Sequence, residues 1–237
     1  MISAILTAQT SRQKLGFPAG YDLLERLTSA IPGAEQWYVS ENEPQQQPVP
    51  FGDQDAAIAR MRERARLINE DGGSADSFSG TIASDTKSKR QPGLFEIDLM
   101  PDIGRATISI YKPDHKFQAP YDVVLGTLKA FVESGAGTEF AFVNVYDRVD
   151  GALQYYRPSY ATFPHRQCLG WMCYVPKAVS KEQLPLAADV IQIKSGTIVV
   201  AVAETFDMTN REHIKRANQI EMDMNDLGLL AVLDPSL

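Results

Sequence analysis

The residues that come nearest to a catalytic pattern are Asp189, Gln192 and Lys194, in the run Asp189-Val190-Ile191-Gln192-Ile193-Lys194. Metal-dependent nucleases of the restriction-endonuclease type place an acid, then Glu or Gln, then Lys on neighbouring strands. There the acids hold Mg²⁺ and the lysine helps activate water. On a strand Gln192 and Lys194 share a face, and Asp98 is a candidate for the distant acid. One Asp and a Gln are a weak set for a hard cation, which prefers several carboxylate oxygens. The competing reading is an edge strand ending in a solubilising lysine.

A second candidate is His165-Arg166-Gln167-Cys168 with Cys173. Imidazole and thiolate suit zinc, but a closed tetrahedral site takes four ligands in short-spaced pairs, and a second pair is missing. Cys168 and Cys173 lie in one apolar strand candidate. A spacing of five puts them on opposite faces, so they read as buried free thiols of a reducing compartment. The chain has His115, His165 and His213 for a nucleophilic triad, yet no Gly-x-Ser-x-Gly elbow and no glycine-rich phosphate loop. His213 falls in the first turn of a helix and reads as a surface residue. No catalytic residue, metal or cofactor is expected.

Composition narrows the function further. The chain has 237 residues and 26.2 kDa, with 44% apolar side chains, enough for a core. Its 30 acidic against 23 basic residues give a net charge of −7, which disfavours direct contact with nucleic acid. An acidic balance suits a basic protein partner and equally suits plain solubility. The first residues are briefly apolar and lack a basic leader, so no signal peptide or membrane span is read, and the expected compartment is the cytoplasm.

The elements that must position these residues follow from periodicity. Strands are expected at 2–10, 36–40, 94–100, 105–112, 138–146 and 169–175, and a hairpin at 189–194 and 197–203 turning at Ser195-Gly196. Helices are expected at 21–31, 53–70, 120–133 and 210–227. The last has Thr209 and Glu212 at capping-box spacing and an apolar side of Ile214, Ala217, Met224 and Leu227. The arginine cluster Arg60, Arg62, Arg64 and Arg66 reads as a solvated helix face. The stretch 71–92, rich in Gly, Ser, Asp and Lys, reads as a mobile loop. Paired strands with separate helices indicate an α+β fold. A mixed or mainly antiparallel sheet with packed helices is expected, in one domain over 1–237 with room for two sub-lobes.

The chain resembles, over most of its length and most specifically in its C-terminal part, the immunity protein 52 family of antitoxins, partners of polymorphic and type VI-secreted toxins. Residues 8–12 and Trp37-Tyr38 are a weaker echo of it near the start. The residues that carry the resemblance are Gly170-Trp171-Met172-x-Tyr174, Gly196-Thr197-Ile198-Val199-Val200, Phe206-Asp207 and Asp226-Leu227-Gly228-Leu229-Leu230. The resemblance implies an α+β fold, no catalysis, and a cognate nuclease toxin of restriction-endonuclease-like class as partner. Against a basic nuclease surface, acidic contacts are expected from Glu96, Asp98 and Asp102, or from Glu221, Asp223 and Asp226. Trp37, Tyr38 and Tyr156 are the expected apolar anchors. The alternatives are a small metal-dependent hydrolase and a non-catalytic adaptor of a secretion locus.

Overall fold

Alternation of apolar and polar residues builds one sheet that runs through nearly the whole chain. The computed structural model describes residues 2–40, 47–68, 77–86, 91–149 and 152–233. In chain order the strands are β1 (Ser3–Thr10), β2 (Tyr38–Val39), β3 (Val49–Pro50), β4 (Gly80–Ala83), β5 (Phe95–Met100) and β6 (Arg105–Ile110). They continue as β7 (Thr138–Val149), β8 (Ala152–Tyr155), β9 (Met172–Val175), β10 (Asp189–Ile193) and β11 (Gly196–Val200). The helices are α1 (Phe17–Ala30), α2 (Gln54–Ile68), α3 (Pro120–Glu133), α4 (Tyr156–Ser159) and α5 (Arg211–Asp226).

The strand order is β10-β11-β9-β7-β1-β6-β5-β4-β2-β3, with β8 pairing β7, and every ladder is antiparallel. The expected α+β class holds, with the antiparallel form of the sheet. Among the described residues no helix is long and apolar enough to cross a membrane.

Period-two alternation sends one set of side chains to each face. On the first face Phe95, Ile97 and Leu99 align with Ala106, Ile108 and Ile110, then with Ala4, Leu6 and Ala8, then with Ala141 and Val143. All are buried. Helices α1 and α3 cover this face. Gly20 of α1 lets the Phe78 ring come so close that a Cβ would lie 2.1 Å from it, and Trp37 meets Phe95 at 6.1 Å. Pro120 opens α3 at its first turn, as the sequence indicates.

Several boundaries differ from expectation for local reasons. Within 71–92, residues 71–76 and 87–90 lie outside the described residues, while Gly80–Ala83 is strand β4, paired with β5 and β2. Ile82 is the one large apolar residue of that strand. The β10–β11 turn is at Lys194-Ser195, because Gly196 already pairs with Ile193. Gly196 is a strand residue chosen for proximity: a Cβ there would lie 2.2 Å from the Val175 carbonyl oxygen. Helix α5 is capped by Asn210, whose side chain accepts from the Glu212 N–H at 3.0 Å, and not by Thr209. Thr209 instead donates from N and Oγ1 to Asp207 Oδ1.

Candidate binding face

The second face of the sheet is treated in two ways. Over β7, β9 and β11 it is closed. Cys173 and Val199, in the same cross-strand row as Phe142, are fully buried there, under α5 and the segment from Tyr156 to Leu169. Over β1, β6, β5 and β4 the corresponding side chains remain part-exposed: Thr7, Gln9, Thr107, Ser109, Glu96, Asp98 and Thr81.

The closed half is held by Glu221, which is 0% exposed. Its Oε1 accepts from the Leu169 N–H at 3.0 Å and its Oε2 from the Thr162 N–H at 2.8 Å. The Tyr156 hydroxyl lies 3.1 Å from Glu221 Oε1 and 2.9 Å from Asn218 Oδ1. Burial raises the Glu221 carboxyl pKa, and these donors oppose the rise without cancelling it. The phenol of Tyr156 is pushed far up by burial and then by the neighbouring carboxylate. Glu221 and Tyr156 were expected to meet a partner; they are instead the internal lock between α5 and the segment over the sheet. The spacing carried the signal: Glu221 is four residues after Ala217 and three before Met224, both buried, which is the inward side of a helix.

Further expectations are corrected in this region. His213 is buried; its Nδ1 accepts from the Asp207 N–H at 3.0 Å, which leaves Nε2 to donate to Glu204 at 3.0 Å. Cys168 and Cys173, by contrast, are the free and buried thiols expected, and burial drives both thiol pKa values up. That makes them poor nucleophiles and poor metal ligands. Trp37 is turned into the core against Phe95 rather than towards a partner. Leu227 is part of the outward side of the last turn, and the buried side of α5 runs through Ile220 instead.

The nuclease-like constellation does not assemble. Asp98 is on β5 and Gln192 is on β10, six strand steps apart in the sheet. At about 4.8 Å per step that is on the order of 30 Å, far beyond what one metal site spans. Gln192 is also engaged locally, with Val179 and Thr197. Among the described residues no cluster of three or more His, Cys, Asp or Glu stands ready to hold a metal ion.

The open half brings Tyr38, Glu96 and Asp98 onto one surface. Tyr38 pairs with Ala83, and Ala83 with Glu96, so the tyrosine and the glutamate share a row roughly 10 Å apart. Glu96 accepts from the Tyr111 hydroxyl and Asp98 from Thr81 Oγ1, each at 2.5 Å. Neither forms an ion pair among the described residues. Tyr111 belongs to a small apolar cluster with Leu94 and Tyr146, onto which Ile5, Ala83 and Tyr155 pack. Tyr146 and Tyr155 stack at 5.1 Å. Asp102 is exposed at the β5–β6 turn, where its Oδ1 accepts from the Ile103 N–H. Asp223 is half-exposed and Asp226 exposed on α5, an element that covers the closed half. Thr81 and Tyr111, the hydroxyls that aim the two carboxylates, are not legible in the sequence, because pairing across strands is not visible in either strand alone.

No family model matches the chain, and no curated protein matches it. Among solved structures it is similar to the Pseudomonas aeruginosa T6SS protein PA0821, at 13% identity and a TM-score of 0.48, over 94% of this chain and 76% of that one. A likeness of that degree assigns neither a family nor a role.

Proposed function

We propose that the chain is a non-catalytic immunity protein that binds a cognate secreted nuclease toxin directly and holds it inactive. The observation that carries this reading is the carboxylate pair Glu96 and Asp98 on the open half of the sheet. Each is oriented by a hydroxyl and neither is neutralised by a cation among the described residues. Aimed, uncompensated carboxylates beside aromatic side chains favour a partner that brings Arg or Lys to them. The net charge of −7 gives long-range attraction of the same sign. The resemblance to the immunity protein 52 family supports a nuclease toxin as that partner.

The test is co-purification with the toxin encoded beside the gene, followed by nuclease assays with and without the purified chain. A stable complex and loss of cleavage are expected. A chain that neither binds that toxin nor slows its cleavage of DNA overturns the reading.

A further inference from the structure

At the border between the two halves, the sheet floor and the edge of its cover enclose a concavity of about 400 Å³. Its floor is Phe140 and Phe142, whose rings are 6.1 Å apart, with Thr7 and Gln9 beside them. Its wall includes Arg157, Pro158 and Gln167. No acidic side chain lines it among the described residues, which is notable in a chain that carries an excess of acids.

Arg157 is the organised element of this wall. Asn144 on β7 grips its backbone twice: Nδ2 donates to the Arg157 carbonyl at 3.2 Å, and the Arg157 N–H donates to Oδ1 at 3.0 Å. One Nη donates to the Pro164 carbonyl at 3.1 Å, and the guanidinium lies 6.0 Å from the centre of the Phe142 ring. A guanidinium has five N–H donors, so most remain unused, and no carboxylate pairs with it among the described residues. Gln9 accepts from Gln167 Nε2 at 2.7 Å, which leaves its own amide N–H groups free. Thr7 adds a hydroxyl with no partner among the described residues.

The unsatisfied polar groups at this concavity are therefore donors or a neutral hydroxyl, set around an aromatic floor with one fixed positive charge. We infer that it is a binding site for a small organic acid, a carboxylate on a flat apolar body, with the acid on Arg157 and Gln9 and the body against the exposed Pro158 and Pro164 and the accessible edge of Phe142. A planar fork matches a carboxylate with two parallel hydrogen bonds, and the volume falls within the range of small-ligand sites, roughly 300–1,000 Å³. The inference goes beyond the immunity reading and does not depend on it.

Calorimetric titration of the purified full chain with 2-naphthoate tests it, with 2-naphthalenemethanol as the neutral body of the same shape. Saturable binding of the acid is expected, with the alcohol at least about tenfold weaker. Arg157→Gln should weaken the acid by a similar factor and leave the alcohol unchanged. Gln9→Leu also releases Gln167 of the cover, so its urea midpoint is read beside the titration; with the fold retained it should weaken the acid severalfold. The combined variant Glu96→Lys with Asp98→Lys, whose position 98 is two strands from Thr7, should hold naphthoate at least as tightly because it adds positive charge. Its toxin binding should fall, which separates this site from the toxin-binding proposal. Equal binding of acid and alcohol, equal binding by wild type and Arg157→Gln, or no binding of the acid to folded wild type overturns the inference.

Discussion

The closed and open halves of the second sheet face place carboxylates in opposite situations. Glu221 in the closed half has no exposure and meets backbone N–H groups of the segment that covers the sheet. Glu96 and Asp98 in the open half are part-exposed and meet side-chain hydroxyls from neighbouring strands. The first arrangement spends the acid on holding the fold together. The second holds the acid in place and leaves it part-exposed, so acidity alone does not separate a structural carboxylate from an available one; the partner of each oxygen does.

The largest effects belong to the closed half. Gly170 has φ +64°, and a Cβ there would lie 2.2 Å from the Val143 carbonyl oxygen, where Trp171 N–H also bonds at 2.9 Å. Gly170→Ala combines left-handed backbone strain with a backbone clash and should cost about 2–5 kcal/mol in urea unfolding. Glu221→Leu removes the acceptor of the Thr162 and Leu169 N–H groups and should cost about 2–5 kcal/mol, at roughly 1–3 per orphaned donor. Either variant unfolding at the wild-type midpoint would mean that the cover is not a stabilising unit.

The open half should answer in the reverse manner. Combining Glu96→Lys with Asp98→Lys leaves stability within about 1 kcal/mol, since the side chains stay part-exposed. Toxin affinity, measured by calorimetry or surface binding, should fall by about 100-fold as attraction becomes repulsion. A double variant that unfolds as readily as Glu221→Leu would erase the contrast between the halves. Tyr156→Phe gives a smaller step in the closed half, about 1 kcal/mol, because Asn218 and Glu221 both lose the same hydroxyl while Glu221 keeps its backbone donors.

The two halves were unequally legible in the sequence. Helix α3, the β5–β6 hairpin and the β10–β11 pair follow from apolar period, Pro120 and turn residues, all of which act within a few positions. Strand β4 was lost in a Gly- and Ser-rich stretch because its stability comes from β5 and β2 on either side. The burial of Glu221 is legible in its spacing from Ala217 and Met224, although its charge alone points to the surface. The separation of Asp98 from Gln192 and Lys194 depends on strand order, which no local pattern specifies.

The finest test of the closed half concerns the proton of Glu221. Its carboxyl pKa is raised above the ordinary 4.5 because burial outweighs the hydrogen bonds that favour the charged form. The folded state then holds the proton more tightly than the unfolded chain. Between the two pKa values the folded form binds more protons, so stability falls as pH rises. The contribution is fully present below 4.5 and is lost as pH rises through the folded value. Glu221→Gln cannot titrate and also turns one acceptor into a donor facing an N–H, at a cost of about 1–3 kcal/mol. The stability gap between wild type and Glu221→Gln should therefore be widest in acid and narrow as pH rises, in denaturant titrations from about pH 3 to about pH 8. A gap that widens with pH would mean that the donors from Thr162, Leu169 and Tyr156 outweigh burial, making Glu221 a stabilised anion and the lock stronger at neutral pH than in acid.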